Sequence, residues 1–300
     1  MKTKGFGRVG VLAGGPSNER EISLRSGRAV YNALIGEGID AIFLDVADNI
    51  YDIIKSARMD AAFIALHGRF GEDGTVQKIL DSIGIPYTGS RAEASKMALD
   101  KIASKKIFAK NGIPTPKYFI VDKGAGRRCE KFPVVVKPQF EGSSIGLSVV
   151  KDKARLEAAL DKAFLYGDKV LVEEYVSGRE LTVGILDGEP LPVIEIVAKD
   201  RVYDYKAKYS DPDTQYLVPA PISLDEASLA RSLGKRAHDA LGCRSFSRAD
   251  MMMDRSGKIF VLEVNTIPGM TERSLLPKAA GAIGVSFGKL CVKLIEDALR

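Results

Sequence analysis

Two apolar stretches near the end of the chain carry polar side chains at a spacing suited to metal chemistry. The first contains Arg248 and Asp250, and the second, residues 259–265, contains Glu263 and Asn265. Side chains two residues apart in a strand lie on one face, so neighbouring strands would bring Asp250, Glu263 and Asn265 together. Oxygen ligands without His or Cys are typical of Mg²⁺, which shares its coordination shell with substrate phosphates. Because an unpaired carboxylate in an apolar run is costly, we expect a cation beside Glu263 and predict ATP chemistry here.

A segment of small residues supplies a second candidate site. Residues 141–146 follow a predicted strand that ends at Lys137, and they include Ser143 and Ser144. Backbone N–H groups and hydroxyls in such a loop can surround phosphate oxygens, and Lys137 can reach a phosphate as a point charge. This pattern is compatible with a phosphate-binding loop, and an ordinary hairpin loop is the alternative.

The same segment also matches the sequence pattern of a serine hydrolase motif. Residues 142–146 match G-x-S-x-G, with Ser143 or Ser144 as nucleophile and His238 as a base further along. That motif must turn from a strand into a helix, whereas residues 147–150 predict another strand. The apolar face of the helix around His238 leaves the imidazole facing water. We keep the hydrolase as the alternative from a different class of protein.

Composition narrows the remaining classes. The chain has 300 residues, 45% of them hydrophobic and 28% charged, which is typical of a globular protein of two or three domains. Its net charge of +5 is mild and suits small anionic ligands; we expect neither a nucleic acid nor a membrane as partner. Three distant cysteines fit no disulfide framework or zinc site, and no signal peptide is evident. We therefore expect a cytoplasmic protein.

The elements that must position these residues change in character along the chain. The first ninety residues alternate strands at 9–13, 41–46 and 61–66 with helices at 21–36 and 75–83, which predicts a parallel sheet covered on both faces. A helix at 92–110 is expected to precede mixed strands and helices. Strands are predicted at 118–121, 133–137, 145–150, 170–175, 181–186, 191–197, 216–222, 246–253 and 259–265, and helices at 152–165, 226–241 and 286–299.

The order of these elements resembles the ATP-grasp fold, in which two α+β subdomains hold ATP between them. Several short motifs in the same order are similar to those of the D-alanine–D-alanine ligase family: residues 14–23, 66–68, 71–74, 87–90, 208–209 and 265–271, followed by 274–275. The resemblance implies an N-terminal α/β substrate domain at 1–90. It further implies a central ATP-grasp subdomain at 91–176, and a C-terminal ATP-grasp subdomain with the metal site at 177–300.

The resemblance also implies a role for each candidate residue. The ATP-binding residues would be Lys101, Lys137, Ser143, Ser144, Glu173, Glu174, Val176, Glu180 and Lys208. The substrate-binding residues would be Glu19, His67, Ser274 and Leu275, with Glu19 on the ammonium of the first D-alanine. The catalytic set would be Glu19, Ser143, Tyr209, Arg248, Gly269 and Ser274. Asp250, Glu263 and Asn265 would bind two Mg²⁺, with Mn²⁺ as a possible substitute.

The implied reaction joins two D-alanines through a D-alanyl phosphate, with ATP as phosphoryl donor, for peptidoglycan synthesis. Within the fold, ligases that join D-alanine to D-lactate or D-serine are the alternative, and Tyr209 favours the dipeptide. A nucleotide-binding regulator without turnover is a third hypothesis. A homodimer is expected. Because acyl phosphates react with water, we also expect mobile lids at 141–146 and 203–212.

Overall fold

The first part of the chain forms a small parallel sheet. The computed structural model describes residues 5–47, 50–125, 129–197 and 213–300. The strands β1 (Val9–Gly14), β2 (Ala41–Val46) and β3 (Ala61–Ile64) lie in the order β2-β1-β3, all parallel. Helices α1 (Arg20–Gly36), α2 (Ile50–Ser56) and α3 (Thr75–Ile83) connect or follow them. Since β1 and β3 are apolar and buried throughout, they match the prediction of a sheet covered on both faces.

Two consecutive helices link this sheet to the next one. The helices are α4 (Ala92–Leu99) and α5 (Lys101–Lys110), so the prediction of one continuous helix at 92–110 was wrong. Asp100 interrupts it with an extended backbone, and its carboxylate accepts hydrogen bonds from the N–H groups of Ile102 and Ala103, both at 3.0 Å. An aspartate that caps a helix satisfies N–H groups that lack a partner within that helix. The break therefore sets the direction in which α5 and its first residue, Lys101, begin.

The second sheet is antiparallel. Strands β4 (Tyr118–Asp122), β5 (Val134–Pro138), β6 (Ser148–Val150) and β7 (Lys169–Glu174) lie in the order β4-β7-β5-β6, with α6 (Leu156–Ala163) against them. Short 3₁₀ turns, Lys153–Arg155 and Phe164–Tyr166, flank α6. The core of this sheet consists of buried residues from Val121 to Val172 only.

The third sheet is the largest of the described residues. It contains β8 (Gly178–Leu186), β9 (Glu189–Pro190), β10 (Ile194–Val197), β11 (Gln215–Leu217), β12 (Phe246–Asp254) and β13 (Ile259–Asn265). The order is β11-β10-β8-β12-β13, with β9 paired to β8. Helices α7 (Leu224–Ala240) and α8 (Leu275–Gly281) pack against it, and α9 (Phe287–Ala298) packs against α8, α1 and β3. At the start of α7, Ser223 and Glu226 exchange hydrogen bonds in a capping box.

The first and third sheets share one hydrophobic core. Val9 and Val11 of β1 belong to the same buried cluster as Phe246 of β12 and Leu290 and Leu294 of α9. The second sheet has its own core, so the chain packs as a larger unit and a smaller one. Among the described residues, no helix has the length and apolar character needed to cross a membrane.

Candidate active site

A cleft of about 540 Å³ lies between the second and third sheets. One wall consists of β5, β7 and the loop that follows β5, and the other consists of β8, β10, β12 and β13. The predicted site residues that line it are Lys101, Lys137, Ser144, Glu173, Glu174, Val176, Glu180, Asp250 and Glu263. The fold therefore gathers ATP-binding and metal-binding candidates, distant in sequence, around one cavity.

The predicted metal ligands meet on β12 and β13. In the antiparallel register Asp250 lies opposite Glu263, and Arg248 lies opposite Asn265. Asn265 Nδ2 donates to Asp250 Oδ2 at 2.9 Å. Asp250 and Glu263 line the cleft. Two carboxylates and an amide at adjacent positions of paired strands are a donor set that suits Mg²⁺. The residues thus fit the predicted ion.

Arg248 and Thr182 also donate hydrogen bonds to the carboxylate of Asp250. Arg248 donates through Nε to Oδ1 at 2.8 Å and through Nη2 to Oδ2 at 2.7 Å, and Thr182 Oγ1 donates to Oδ1 at 2.7 Å. A guanidinium fork on a carboxylate fixes both groups in one plane. Arg248 is therefore oriented beside the metal-binding candidates, as its position on β12 predicted.

A buried ion triad lies beside the cleft. Glu173 Oε2 accepts a hydrogen bond from Lys137 Nζ at 2.6 Å, and Glu173 Oε1 lies 2.6 Å from Lys105 Nζ. Burial acts against all three charged forms, but the two lysines hold the pKa of Glu173 below its usual value, and Glu173 raises the pKa of Lys137. For Lys105, desolvation outweighs the attraction of Glu173 and lowers the pKa to about 8. Lys105 was not predicted as a functional residue.

Lys101 connects the start of α5 to the loop after β5. Its Nζ donates to the carbonyl of Glu141 at 2.5 Å and lies 3.6 Å from Glu263 Oε2. Gln139 reinforces this connection, because its Nε2 donates to Asp100 at 2.9 Å and its carbonyl accepts from the N–H of Lys101 at 3.1 Å. The lysine is thus placed between the loop and the metal-binding candidates.

The loop itself consists of tight turns. The N–H of Ile145 donates to Gly142, and that of Leu147 donates to Ser144. Ser143, Ser144 and Gly146 all have positive φ, so the chain cannot extend here and β6 begins only at Ser148. The prediction that a strand starts at 145 was wrong for this reason, while the prediction of a loop at 141–146 agrees with the structure.

Ser143 joins the loop to the N-terminal sheet. Its hydroxyl donates to Glu19 Oε1, and Glu19 is buried at the start of α1. A Cβ on Gly142 would lie 2.7 Å from Glu19 Oε2, and one on Gly68 would lie 2.9 Å from it. Both glycines therefore give the carboxylate the room it occupies. Glu19 makes no side-chain cap on α1, so its carboxylate is free of that structural task.

His67 lies at the junction of the first and third sheets. Its Nε2 is 2.9 Å from Ser26 Oγ, and its Nδ1 is 3.0 Å from the carbonyl of Ile267. Both ring nitrogens therefore have a hydrogen-bond partner, with Nδ1 placed to donate to the carbonyl. Glu72 lies 3.6 Å from Nδ1, and burial raises the pKa of this carboxyl.

The remaining substrate candidates lie at the start of α8. Ser274 is the residue before this helix, and its Oγ accepts from the N–H of Thr271 at 3.0 Å. A Cβ on Gly269 would lie 3.1 Å from the same oxygen, so Gly269 and Ser274 are neighbours. Leu275 is the first residue of α8 and is buried. Lys208 and Tyr209, with the whole of the predicted lid at 203–212, lie outside the described residues.

His238 occupies a different environment from the predicted one. It is a buried residue of α7, and its Nδ1 lies 2.7 Å from Ser247 Oγ. Desolvation lowers the pKa of the imidazole to about 4. The prediction that His238 faces water was wrong, because the apolar face of α7 extends further around the helix than assumed. Its ring contacts Ser247, whereas the Ser143 hydroxyl donates to Glu19, which gives the hydrolase hypothesis no support.

Fold and cleft together define the chain as an ATP-grasp protein. Family models described as D-ala D-ala ligase N-terminus and D-ala D-ala ligase C-terminus match residues 47–90 and 107–296. The chain belongs to the D-alanine–D-alanine ligase family.

Relatives and solved structures agree along nearly the whole length. The D-alanine–D-alanine ligase of Citrifermentans bemidjiense is 48% identical over 294 residues, covering 97% of this chain and 96% of that protein. The ligase of Stutzerimonas stutzeri is 46% identical, covering 99% and 96%. The crystal structure of the Bacillus anthracis D-alanine–D-alanine ligase complexed with ATP is 35% identical, with a TM-score of 0.87 and 98% coverage of each chain.

Proposed function

We propose that this protein is an ATP-dependent D-alanine–D-alanine ligase, which forms D-alanyl-D-alanine, ADP and phosphate for peptidoglycan synthesis. Family membership over nearly the whole chain supports this function. The observation that carries it at the site is the cleft, which combines lysines, a carboxylate pair and an arginine around one cavity. Such a set of charges suits the transfer of a phosphoryl group to a carboxylate.

The nucleotide half of the reaction belongs to the wall formed by the second sheet. Carboxylates are poor electrophiles, so amide formation requires activation by phosphoryl transfer. Lys137 and Lys101 would bind the phosphates, and the backbone beyond Glu173 would contact the adenine, with Glu180 at the ribose. Positioning and charge stabilisation account for most of the catalysis in such transfers. The tight turns at Ser143 and Ser144 would direct their N–H groups, and the hydroxyl of Ser144, to phosphate oxygens.

The metal ligands would be Asp250, Glu263 and Asn265, and two Mg²⁺ ions are proposed. When bound there, Mg²⁺ would neutralise phosphate charge during transfer. Arg248, fixed by its fork on Asp250, would stabilise the anionic tetrahedral intermediate formed when the second amine attacks. The Gly269 backbone beside Ser274 would contribute to the same oxyanion.

The amino acid half belongs to the junction of the first and third sheets. Glu19 would bind the ammonium of the first D-alanine, and Ser274 with Leu275 would bind the carboxylate of the second. His67, held in place by its two hydrogen bonds, would line the same space. We accordingly propose three domains: residues 1–90 bind the amino acid substrate, residues 91–176 bind the nucleotide, and residues 177–300 contain the metal site. A cytoplasmic homodimer remains our expectation.

A D-alanine-dependent ATPase assay with chromatography of the products tests this function. We expect stoichiometric ADP, phosphate and D-alanyl-D-alanine, and none without Mg²⁺. Supplying D-lactate or D-serine as the second substrate in the same assay shows whether the protein is instead a ligase that joins D-alanine to one of those two compounds. ATP binding without dipeptide would refute the function and favour a nucleotide-binding regulator.

A further inference from the structure

A buried lysine behind the nucleotide cleft has no assigned role. Lys105 is 1% exposed and does not line the cleft, whereas Glu173 and Lys137 do. A lysine is rarely buried completely, because removing an ammonium ion from water is expensive unless it is paired. Its surroundings therefore show what holds it there.

Three elements meet at the Lys105 ammonium. Nζ lies 2.6 Å from Glu173 Oε1 on β7 and donates to Thr115 Oγ1 at 2.5 Å. Thr115 in turn donates to the carbonyl of Val261 on β13 at 2.8 Å. The lysine thus joins α5 to the second sheet and, through one hydroxyl, to the third sheet.

The charges of this cluster do not cancel. Glu173 contributes one negative charge, and Lys105 and Lys137 contribute one positive charge each, all within ion-pair distance. Without Lys105, the buried carboxylate would have Lys137 as its remaining partner in the triad, and the pair would be neutral. With Lys105, the triad keeps one net positive charge, and Lys137 is the lysine of the triad that lines the cleft.

We propose that Lys105 is a positioning residue, which neutralises Glu173 from behind so that the positive charge of Lys137 serves the nucleotide phosphates. This inference rests on the proposed function only in taking the cleft as the ATP site. Lys105 does not touch the nucleotide in this proposal, and it acts through Glu173. Lys105 fixes the orientation of Glu173, and Glu173 in turn holds the ammonium group of Lys137 in position.

The test is direct binding of nucleotides, measured by calorimetry. Lys105→Met keeps the length of the side chain and removes the charge, and Lys106→Met is the control, since Lys106 is the exposed neighbour on α5. We expect Lys105→Met to weaken ATP binding about tenfold or more, in the range of a lost charge-assisted phosphate contact. Adenosine, which has no phosphate, should bind as to the parent protein. In kinetics, KM for ATP should rise while KM for D-alanine stays constant.

A structural role for Lys105 would give a different result. If the substitution only loosened the packing, ATP and adenosine would lose affinity equally, and the proposal would be overturned. Unchanged ATP binding in a folded Lys105→Met protein would overturn it as well. Because binding is measured directly, absence of dipeptide in the parent protein would refute the ligase function without affecting this result.

The double variant Lys105→Met, Glu173→Gln supplies an independent measurement. It removes the buried carboxylate together with its cation, which is milder for folding than leaving one charge unpaired. We expect the double variant to bind ATP more tightly than Lys105→Met does, with an affinity closer to that of the parent protein. If Lys105→Met does not fold, the ATP affinity of the double variant should lie within about tenfold of the parent value. A double variant that folds but binds ATP as weakly as the single variant, or more than about a hundredfold below the parent, would show that Lys105 does not act through Glu173.

Discussion

Replacing Glu19 by Gln should separate D-alanine binding from ATP binding. The amide oxygen can still accept the hydrogen bond from Ser143, so the link between α1 and the loop persists while the negative charge is lost. Glu19 is 7% exposed, so a substrate ammonium beside it would be largely removed from water. A hydrogen bond to a charged group contributes about 1.5–3 kcal/mol, which corresponds to a rise of about 10- to 150-fold in KM for D-alanine.

The competing explanation is a helix-start carboxylate that complements the dipole of α1. That interaction is worth about 0.3–1 kcal/mol of stability and would leave the kinetics unchanged. Glu21→Gln is the matched control, because Glu21 lies in the first turn of α1 and is exposed. D-alanine kinetics, calorimetric ATP titration and thermal melts should be recorded for both variants. Equal weakening of ATP and D-alanine by Glu19→Gln, or the same KM change in Glu21→Gln, would refute our reasoning.

Four further substitutions test the metal site, a buried histidine and the core. Glu263→Gln should abolish turnover without unfolding the protein. Asn265→Ala should change the Mg²⁺ dependence of turnover less drastically than Glu263→Gln does. Near-normal activity of Glu263→Gln in a Mg²⁺ titration would contradict the assignment of the metal ligands. His238, with a folded pKa of about 4 against 6.5 unfolded, should favour the unfolded chain increasingly as pH falls from about 6.5 to about 4, by about 3 kcal/mol. Urea melts across this range should show a shallower loss for His238→Gln, and an equal loss would exclude this cause. Phe108→Ala, in a fully buried side chain of α5, should lower the free energy of unfolding by about 3–5 kcal/mol, and a loss below about 1 kcal/mol would contradict the packing described.

Long periodic elements were predictable from the sequence because local pattern and tertiary burial agree there. The helix at 75–83 and the strands at 41–46 and 259–265 have the predicted bounds. Interruptions were harder to predict. Asp100 stands in a run of good helix formers, and only its capping bonds reveal the break. The short helices Ile50–Ser56 and Leu275–Gly281 were not predicted, because a run of seven residues shows less than two turns of periodicity.

The site was predictable where a residue type is unusual for its position. Glu263 in an apolar strand and the spacing of Arg248 and Asp250 pointed to the cluster that the structure contains. Lys105 gave a weaker signal: it lies three residues after Ile102 and three before Phe108, on the apolar stripe of α5, whereas Lys106 does not. A lysine on an apolar stripe indicates a buried ion pair, but its partner, Glu173, is 68 residues away and cannot be identified from spacing.

The core shared by the first and third sheets has a consequence for biosynthesis. Val9 and Val11 are synthesised long before Leu290 and Leu294, with which they pack. At about 5–20 residues per second, on the order of 15 to 60 s separate the two events. Throughout that interval the parallel sheet lacks part of its apolar cover, while the residues from Val121 to Val172 already contain everything their own core requires. The second sheet can therefore fold during translation, whereas the first sheet completes its core only after α9 has been synthesised.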